Sequence, residues 1–196
     1  EEARLPEFNI EEAKRLLAEA GYTGGKNFPK CELLFNTSEN HKQIAEVLQQ
    51  QWKESLGIQI EMVNQEGKLS LATTRAEDYW IARGSWIGDY LDPNTFLDMW
   101  TSENGNNRTG WKNKEYDALI GRAARTVDVE ERLRMLRQAE EQILNEEMII
   151  LPVYYYVTQN IWDPRDFEGL TGNLLNLVNL RSVKPLRGHR GVPRDR

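Results

Sequence analysis

One cysteine and two histidines in 196 residues exclude much before any motif is read. Cys31 has no second thiol, so no internal disulfide forms and thiolate-rich zinc or iron–sulfur sites are ruled out, while the redox compartment stays open. His41 and His189 are too few for a histidine-rich metal centre. The longest apolar runs, such as residues 148–153, fall far short of the roughly 20 residues a membrane-crossing helix needs. The opening Glu1-Glu2-Ala3-Arg4 is unlike a signal peptide, which says little about compartment in a chain that does not start at an initiator. There is no Gly-rich phosphate loop, no Gly-x-Ser-x-Gly elbow and no His-Glu-x-x-His pair, so the standard enzyme constellations are missing.

Basic charge is also scarce outside the tail. From Arg181 onward six Lys and Arg face only Asp195, which leaves residues 1–180 with 19 basic against 30 acidic residues, a charge of −11 within the net −6. An acidic body argues against nucleic acid as a partner and admits cationic or zwitterionic ligands, although most such charge is solvated surface. With 39% hydrophobic and 29% charged residues, the chain is long enough for one large globular domain or two small ones.

Periodicity supplies the elements. Asn9 caps a helix closed by Gly21, with Glu12 placed to reach back to the cap. Residues 31–36 read as a strand, 44–56 as an amphipathic helix stopped by Gly57, and 58–63 as an alternating strand: one βαβ unit, hence parallel strands. A short helix over 68–76 leads to a strand at 79–83, repeating the pattern. Residues 102–110 form a Gly/Asn loop, residues 116–126 a helix, and Asp128 with Glu131 a capping box for a helix to 147. The apolar run 148–157 reads as a buried strand with Pro152 as its irregular point. Residues 169–180 are apolar without a period or an obvious cover, and 184–196 combine Gly, Pro and Arg as disordered segments do. There are no internal repeats.

The most informative stretch is Trp86-Ile87-Gly88-Asp89-Tyr90-Leu91-Asp92-Pro93-Asn94-Thr95-Phe96-Leu97-Asp98-Met99-Trp100. Asp92-Pro93 starts a short helix with Phe96, Leu97 and Trp100 on one side, so Asp89 falls in the connection past a strand's carboxyl end. Ligands bind there in open α/β sheets, and a lone acid between Trp86 and Tyr90 suits a small cation on an apolar body. Asp89 reads either as a loop carboxylate that caps a turn or as such a countercharge. Trp86 and Trp111 read first as packing residues, Arg83 as a surface or ion-pair residue, and His41 as an exposed residue at a helix start. Asp89, Asp92 and Asp98 could in principle pair as acid and base in glycoside hydrolysis, but Asp92 is better used as a cap and Asp98 as a solvated helix residue.

An ordered series extends over residues 9–157: Glu12-Ala13-Lys14-Arg15-Leu16-Leu17-Ala18-Glu19-Ala20-Gly21-Tyr22, Asn36-Thr37-Ser38-Glu39-Asn40-His41-Lys42, residues 52–58, Asn64-Gln65-Glu66, the Trp86 segment, Asn106-Asn107 with Thr109-Gly110-Trp111, and Leu151-Pro152-Val153-Tyr154. In this series the chain resembles the extracellular solute-binding proteins of family 5, the oligopeptide- and dipeptide-binding receptors of bacterial ABC transporters, and specifically their second, carboxyl-side lobe. The resemblance implies an α/β fold, a periplasmic-binding-protein-like lobe with a mixed, largely parallel sheet flanked by helices. It implies that Asp89 binds a peptide's α-ammonium, that the backbone at Ser85 pairs with the peptide main chain, and that Trp86 walls the pocket. Arg83 and His41 match positions that in some members meet the ligand's carboxyl end, and Asn36 matches a cleft-lining position. Two departures stand out: Gly67 replaces a common Trp, and Ser85 stands where Gly is frequent.

On this reading residues 1–160 are the second lobe, 161–183 return to a first lobe absent here, and 184–196 are a basic tail foreign to the family. The implied partners are a peptide ligand, an ABC transporter permease and that first lobe, with no nucleic acid, no transmembrane segment, no cofactor and no catalysis. The implied location is periplasmic or extracytoplasmic, with membrane association through the missing amino-terminal part. The alternatives are a stand-alone interaction module or truncated receptor remnant docking on a partner chain, and a family member that carries nickel, haem or sugar.

Overall fold

A computed structural model of the chain describes residues 7–157, 159–173 and 177–186. The first unit runs α1 (Ile10–Glu19), β1 (Cys31–Asn36), α2 (Glu39–Leu56), β2 (Ile60–Gln65), α3 (Gly67–Arg75) and β3 (Ile81–Ala82). The Asn9 side chain accepts the Glu12 amide at 3.0 Å, as its cap role requires. Glu12 itself does not reach back: its carboxylate takes the Arg15 guanidinium at 2.7 Å, because the opposite charge one turn on is a stronger partner than a backbone amide. α2 ends in a Schellman turn, with Gly57 at φ +72° while its amide bonds Lys53 O and the next amide bonds Trp52 O.

Three parallel strands form one sheet in the order β2-β1-β3. Since β2 and β3 flank β1, the two crossover helices fall on opposite faces of the sheet. α2 covers the face of Cys31, Leu33 and Phe35, with Ala45 2% exposed between them, and α3 lies over the Leu34 side, where Leu34, Val63 and Thr73 line one small cavity. The period-2 alternation of β1 thus serves two layers. β3 is shorter than the sequence pattern suggests: only Ile81 and Ala82 pair, with Leu33 and Leu34, while the Tyr79 hydroxyl is drawn away to Arg108 O at 2.6 Å.

A second, helical core follows. It is built by α4 (Asn94–Leu97), α5 (Lys114–Ala123) and α6 (Val129–Glu141), which continues into a π-helical turn, Gln142–Glu146. Leu97, Tyr116, Ile120, Leu136, Ala139 and Ile143 are its centre. Asp128 caps α6 by accepting the Glu131 amide at 2.8 Å. The burial of α4 differs from expectation: Thr95 and Leu97 face inward while Phe96 is half exposed, because the helix is one turn long and Met99 in the following 3-10 turn fills the next inward position. The Gly/Asn loop is held by Asn107, whose amide reaches Trp111 O at 2.9 Å and whose carbonyl accepts the Thr109 hydroxyl at 2.8 Å. This seats the Trp111 ring edge-on to Tyr116, at 5.1 Å, so Trp111 is a packing residue.

Two expectations are corrected. Residues 148–157 are not a buried strand: Ile149 and Ile150 pack on the helical core, while Leu151, Val153 and Tyr155 to Val157 are exposed and pair with no strand among the described residues. The run departs from the π turn through Met148 at φ +47°. Residues 184–186 are also not structureless, since β5 (Lys184–Pro185) pairs antiparallel with β4 (Phe167–Glu168) and sets Lys184 opposite Glu168. The rest of the tail, 187–196, lies outside the described residues, as do 174–176 of the apolar segment; Leu177 and Leu180 beside it are exposed.

Candidate functional site

Chain order reverses at the crevice between β1 and β3, at the carboxyl ends of the strands, which is where open parallel sheets offer a ligand site. The residues singled out in sequence fall there in two groups. The first gathers around Tyr156. Asn36 ends β1, His41 lies in the first turn of α2, and Arg83 follows β3, its amide bonded to Leu34 O at 2.8 Å. The Arg83 guanidinium donates to the Tyr156 hydroxyl at 2.6 Å, and His41 Nε2 lies 3.3 Å from the same oxygen. His41 Nδ1 is 3.4 Å from Asn36 O. With Nδ1 protonated His41 donates to Asn36 O, and Tyr156, which accepts from Arg83, has one proton shared between His41 Nε2 and the Tyr154 hydroxyl. The Tyr154 hydroxyl and burial hold the Tyr156 proton on, against the pull of Arg83.

The second group is Ser85, Trp86 and Asp89 in the loop 83–93. Ser85 and Asp89 are exposed, and Trp86 is half-buried with its Nε1 enclosed and unpartnered among the described residues. Gly88 approaches the Thr95 and Phe96 side chains so closely that a Cβ would meet them at 3.1 Å. The Asp89 amide donates to Thr95 Oγ1 at 3.0 Å, and Thr95 is almost fully buried, so the backbone at Asp89 is anchored. Its carboxylate accepts no hydrogen bond and forms no ion pair among the described residues.

The neighbouring acids are engaged. Asp92 accepts the Asn94 amide at 2.9 Å, which is the capping role expected of it, and also takes both arms of Arg132 at 2.7 and 2.8 Å. Hydrogen bonding to Arg132 lowers the Asp92 pKa. Asp98 is half-buried rather than solvated, accepting the Tyr90 hydroxyl at 3.2 Å and the Asn94 amide group at 3.3 Å. Of the three acids, Asp89 alone presents an unengaged carboxylate, which suits a cation and not a paired acid and base. Among the described residues no hydrogen bond joins the Asp89 group to the Tyr156 group, and no three His, Cys, Asp or Glu gather as a metal-ligand set. No helix among them is long and apolar enough to cross a membrane.

Sequence reading missed Tyr156, Thr95 and Arg132. Tyr156 was hidden in a run read as core strand. Arg132 lies 40 positions from Asp92, and no local pattern links them.

Comparison with known proteins gives the family. The family described as "Bacterial extracellular solute-binding proteins, family 5 Middle" matches residues 1–108. The periplasmic oligopeptide-binding protein OppA of Salmonella typhimurium is 38% identical over 154 residues, 79% of this chain and 28% of its own length. The dipeptide-binding protein DppE of Bacillus subtilis is 40% identical over 149 residues, 76% of this chain and 27% of its length. The structure of Haemophilus influenzae OppA in complex with RPPGFSPFR superposes with a TM-score of 0.77 at 32% identity, over 90% of this chain and 34% of that one. The chain therefore spans from 27% to 34% of the length of these three relatives, and within that span it belongs to the bacterial extracellular solute-binding proteins of family 5.

Proposed function

We propose that this chain is the carboxyl-side lobe of a two-lobe peptide receptor that delivers its ligand to an ABC permease outside the cytoplasm. Residues 1–160 form the lobe, and 161–183 lead back to the first lobe. Asp89 takes the peptide α-ammonium, the backbone at Ser85 pairs with the peptide main chain, and Trp86 walls the pocket. Arg83 and His41, joined by Tyr156, receive the ligand's carboxyl end, and Asn36 lines the cleft. Backbone pairing gives affinity without reading side chains, and closing of the lobes around the ligand provides the signal for delivery. Nothing in this scheme is catalytic.

The observation that carries the reading is the Asp89 carboxylate, unengaged and exposed on an anchored backbone past the carboxyl end of a parallel sheet. Calorimetric titration with tri-alanine and its N-acetyl form tests it. Asp89→Asn should weaken the free-amine peptide by about 1.5–3 kcal/mol, the scale of a charge-assisted hydrogen bond, and leave the acetylated peptide unchanged. Equal affinities for the free-amine peptide before and after the substitution end the ammonium reading. Competition by nickel, haem or a sugar in the same titration would move the ligand class within the family.

A second reading is favoured by the exposed apolar side chains of Leu151, Val153, Tyr155, Val157, Ile161 and Leu177: a module that docks on another chain. Leu177→Asp would abolish docking and spare peptide binding, whereas Asp89→Asn would do the reverse.

A further inference from the structure

We propose that Arg132 is the positioning residue of the ammonium site, holding from α6, through Asp92, the loop that presents Asp89. This inference rests on the reading of Asp89 as the ammonium acceptor. The loop 83–93 is fixed at four places, one of them Tyr90, whose hydroxyl donates to Asp98 at 3.2 Å and accepts from the Asn94 amide group at 3.1 Å. At its start the Arg83 amide is bonded to Leu34 O at 2.8 Å, which ties it to the sheet. Residues 84–88 then make no hydrogen bond among the described residues. At Asp89 the amide is bonded to Thr95 Oγ1 at 3.0 Å. At Asp92 the carboxylate is gripped by both arms of Arg132, at 2.7 and 2.8 Å, while it caps α4 through the Asn94 amide. Arg132 belongs to a helix whose Leu136 and Ala139 are in the second core. Its fork is therefore the side-chain tie between α6 and the loop, beside the Thr95 and Asp98 contacts that tie the loop to α4 and the turn after it. A planar bidentate pair fixes direction as well as distance, which a single Lys contact does not. The pair is about a quarter exposed on each side, so it is not merely a solvated surface contact.

Arg132 also cancels the Asp92 charge three residues from Asp89, and this has the opposite consequence for a cation. Removing Arg132 leaves a second uncompensated carboxylate near the site, which attracts an ammonium, but it also loosens the loop, which misplaces Asp89. The charge effect acts through solvent and is screened by salt. The positional effect is not. The proposal commits to position as the larger of the two at physiological salt.

The test uses the full chain and two readouts. In titration with tri-alanine at about 0.15 M salt, Arg132→Met should weaken binding roughly tenfold, the scale seen when an outer hydrogen-bonding partner of a binding group is removed. Arg132→Lys should recover only part of this, and adding Asp92→Asn to Arg132→Met should not restore affinity. N-acetyl tri-alanine should be insensitive to all three. Without peptide, amide hydrogen exchange at Asp89 should quicken in Arg132→Met while the Ala139 amide on α6 stays protected. Tighter tri-alanine binding in Arg132→Met, abolished at about 1 M salt, would make charge cancellation the role and overturn the proposal. Unchanged exchange at Asp89 would overturn it as well. Asp89→Asn in the same titration separates the two failures: no effect there sinks the ammonium reading, and the exchange experiment still decides on Arg132. If Arg132→Met does not fold, the Lys variant and the double variant carry the same comparison.

Discussion

Arg83 and Tyr156, 73 positions apart, share a hydrogen bond of 2.6 Å, and the guanidinium carbon lies 5.8 Å from the tyrosine ring centroid. The contact closes the crevice end of the sheet: a residue just past the shortest strand is held by a segment that leaves the helical core. His41 meets the same hydroxyl from the start of α2. Three separate elements thus present one cationic, hydrogen-bonding surface suited to a carboxylate.

The first prediction concerns that surface. Arg83→Met removes the cation and should collapse the preference for peptides ending in a free carboxylate over their amides, by roughly fivefold because the site is partly solvated. Tyr156→Phe keeps the ring under Arg83 and loses only the hydroxyl, so its effect should be smaller. Both are read by titration with paired acid and amide peptides. An unchanged acid-to-amide ratio in Arg83→Met would remove this surface from the ligand site.

The second prediction is a pH dependence. Hydrogen bonding to Arg132 places the Asp92 pKa below its ordinary 3.8 in the folded chain. The unfolded state then binds the proton more readily, so this stabilisation is fully present above about pH 4 and is lost as pH falls through the lowered folded value. Arg132→Met should lower stability by about 1 kcal/mol near neutrality, given a pair that is partly exposed. The wild-type and variant urea midpoints should converge once pH has fallen through that lowered value. A constant gap across that range would assign the loss to packing of the Arg132 stem instead.

Tyr116 allows a third. It is fully buried, its hydroxyl donates to Leu97 O at 2.7 Å, and burial pushes its pKa well up. Tyr116→Phe leaves the Leu97 carbonyl without that donor at the join between α4 and the 3-10 turn, and should cost about 1–2 kcal/mol in the urea midpoint. In the wild type this phenol should stay protonated in a spectrophotometric titration well past the range, about pH 10, in which a free tyrosine ionises. A normal titration for every tyrosine would contradict the packing around Tyr116.

The contrast between what the sequence revealed and what it concealed has a physical basis. Asn9, Asp128 and Gly57 act through neighbours one turn away, so their caps could be read locally. The parallel βαβ unit followed from a helix of the right length between two apolar strands. Asp89 could be placed because Asp92-Pro93 marks a helix start in any context. Tyr156 could not, because an apolar run such as 148–157 states only that it avoids water and not which surface covers it. Arg132 escaped for a related reason: its choice of Asp92 over an acid on its own helix depends on how α6 lies across α4. The tail was misjudged at Lys184, where pairing with Glu168 overrode a disorder-prone composition.

The fourth prediction addresses the apolar run itself. Tyr155 and Val157 are 86% and 80% exposed, which leaves residues 151–157 outside both cores. Surface substitutions away from packed features change stability by no more than about 0.5 kcal/mol, so Tyr155→Lys with Val157→Lys should leave the urea midpoint nearly unmoved. The same double variant should reduce binding of a hydrophobic dye and any concentration-dependent self-association, because exposed apolar patches of this kind recruit both. A loss of more than about 2 kcal/mol would instead mean that the segment is packed in solution, since only core disruption reaches that size. The dye and the midpoint must therefore be measured on the same samples: reduced dye binding with an unchanged midpoint fits a surface that awaits a covering chain, and reduced dye binding with a lowered midpoint fits a strand that has already found its place.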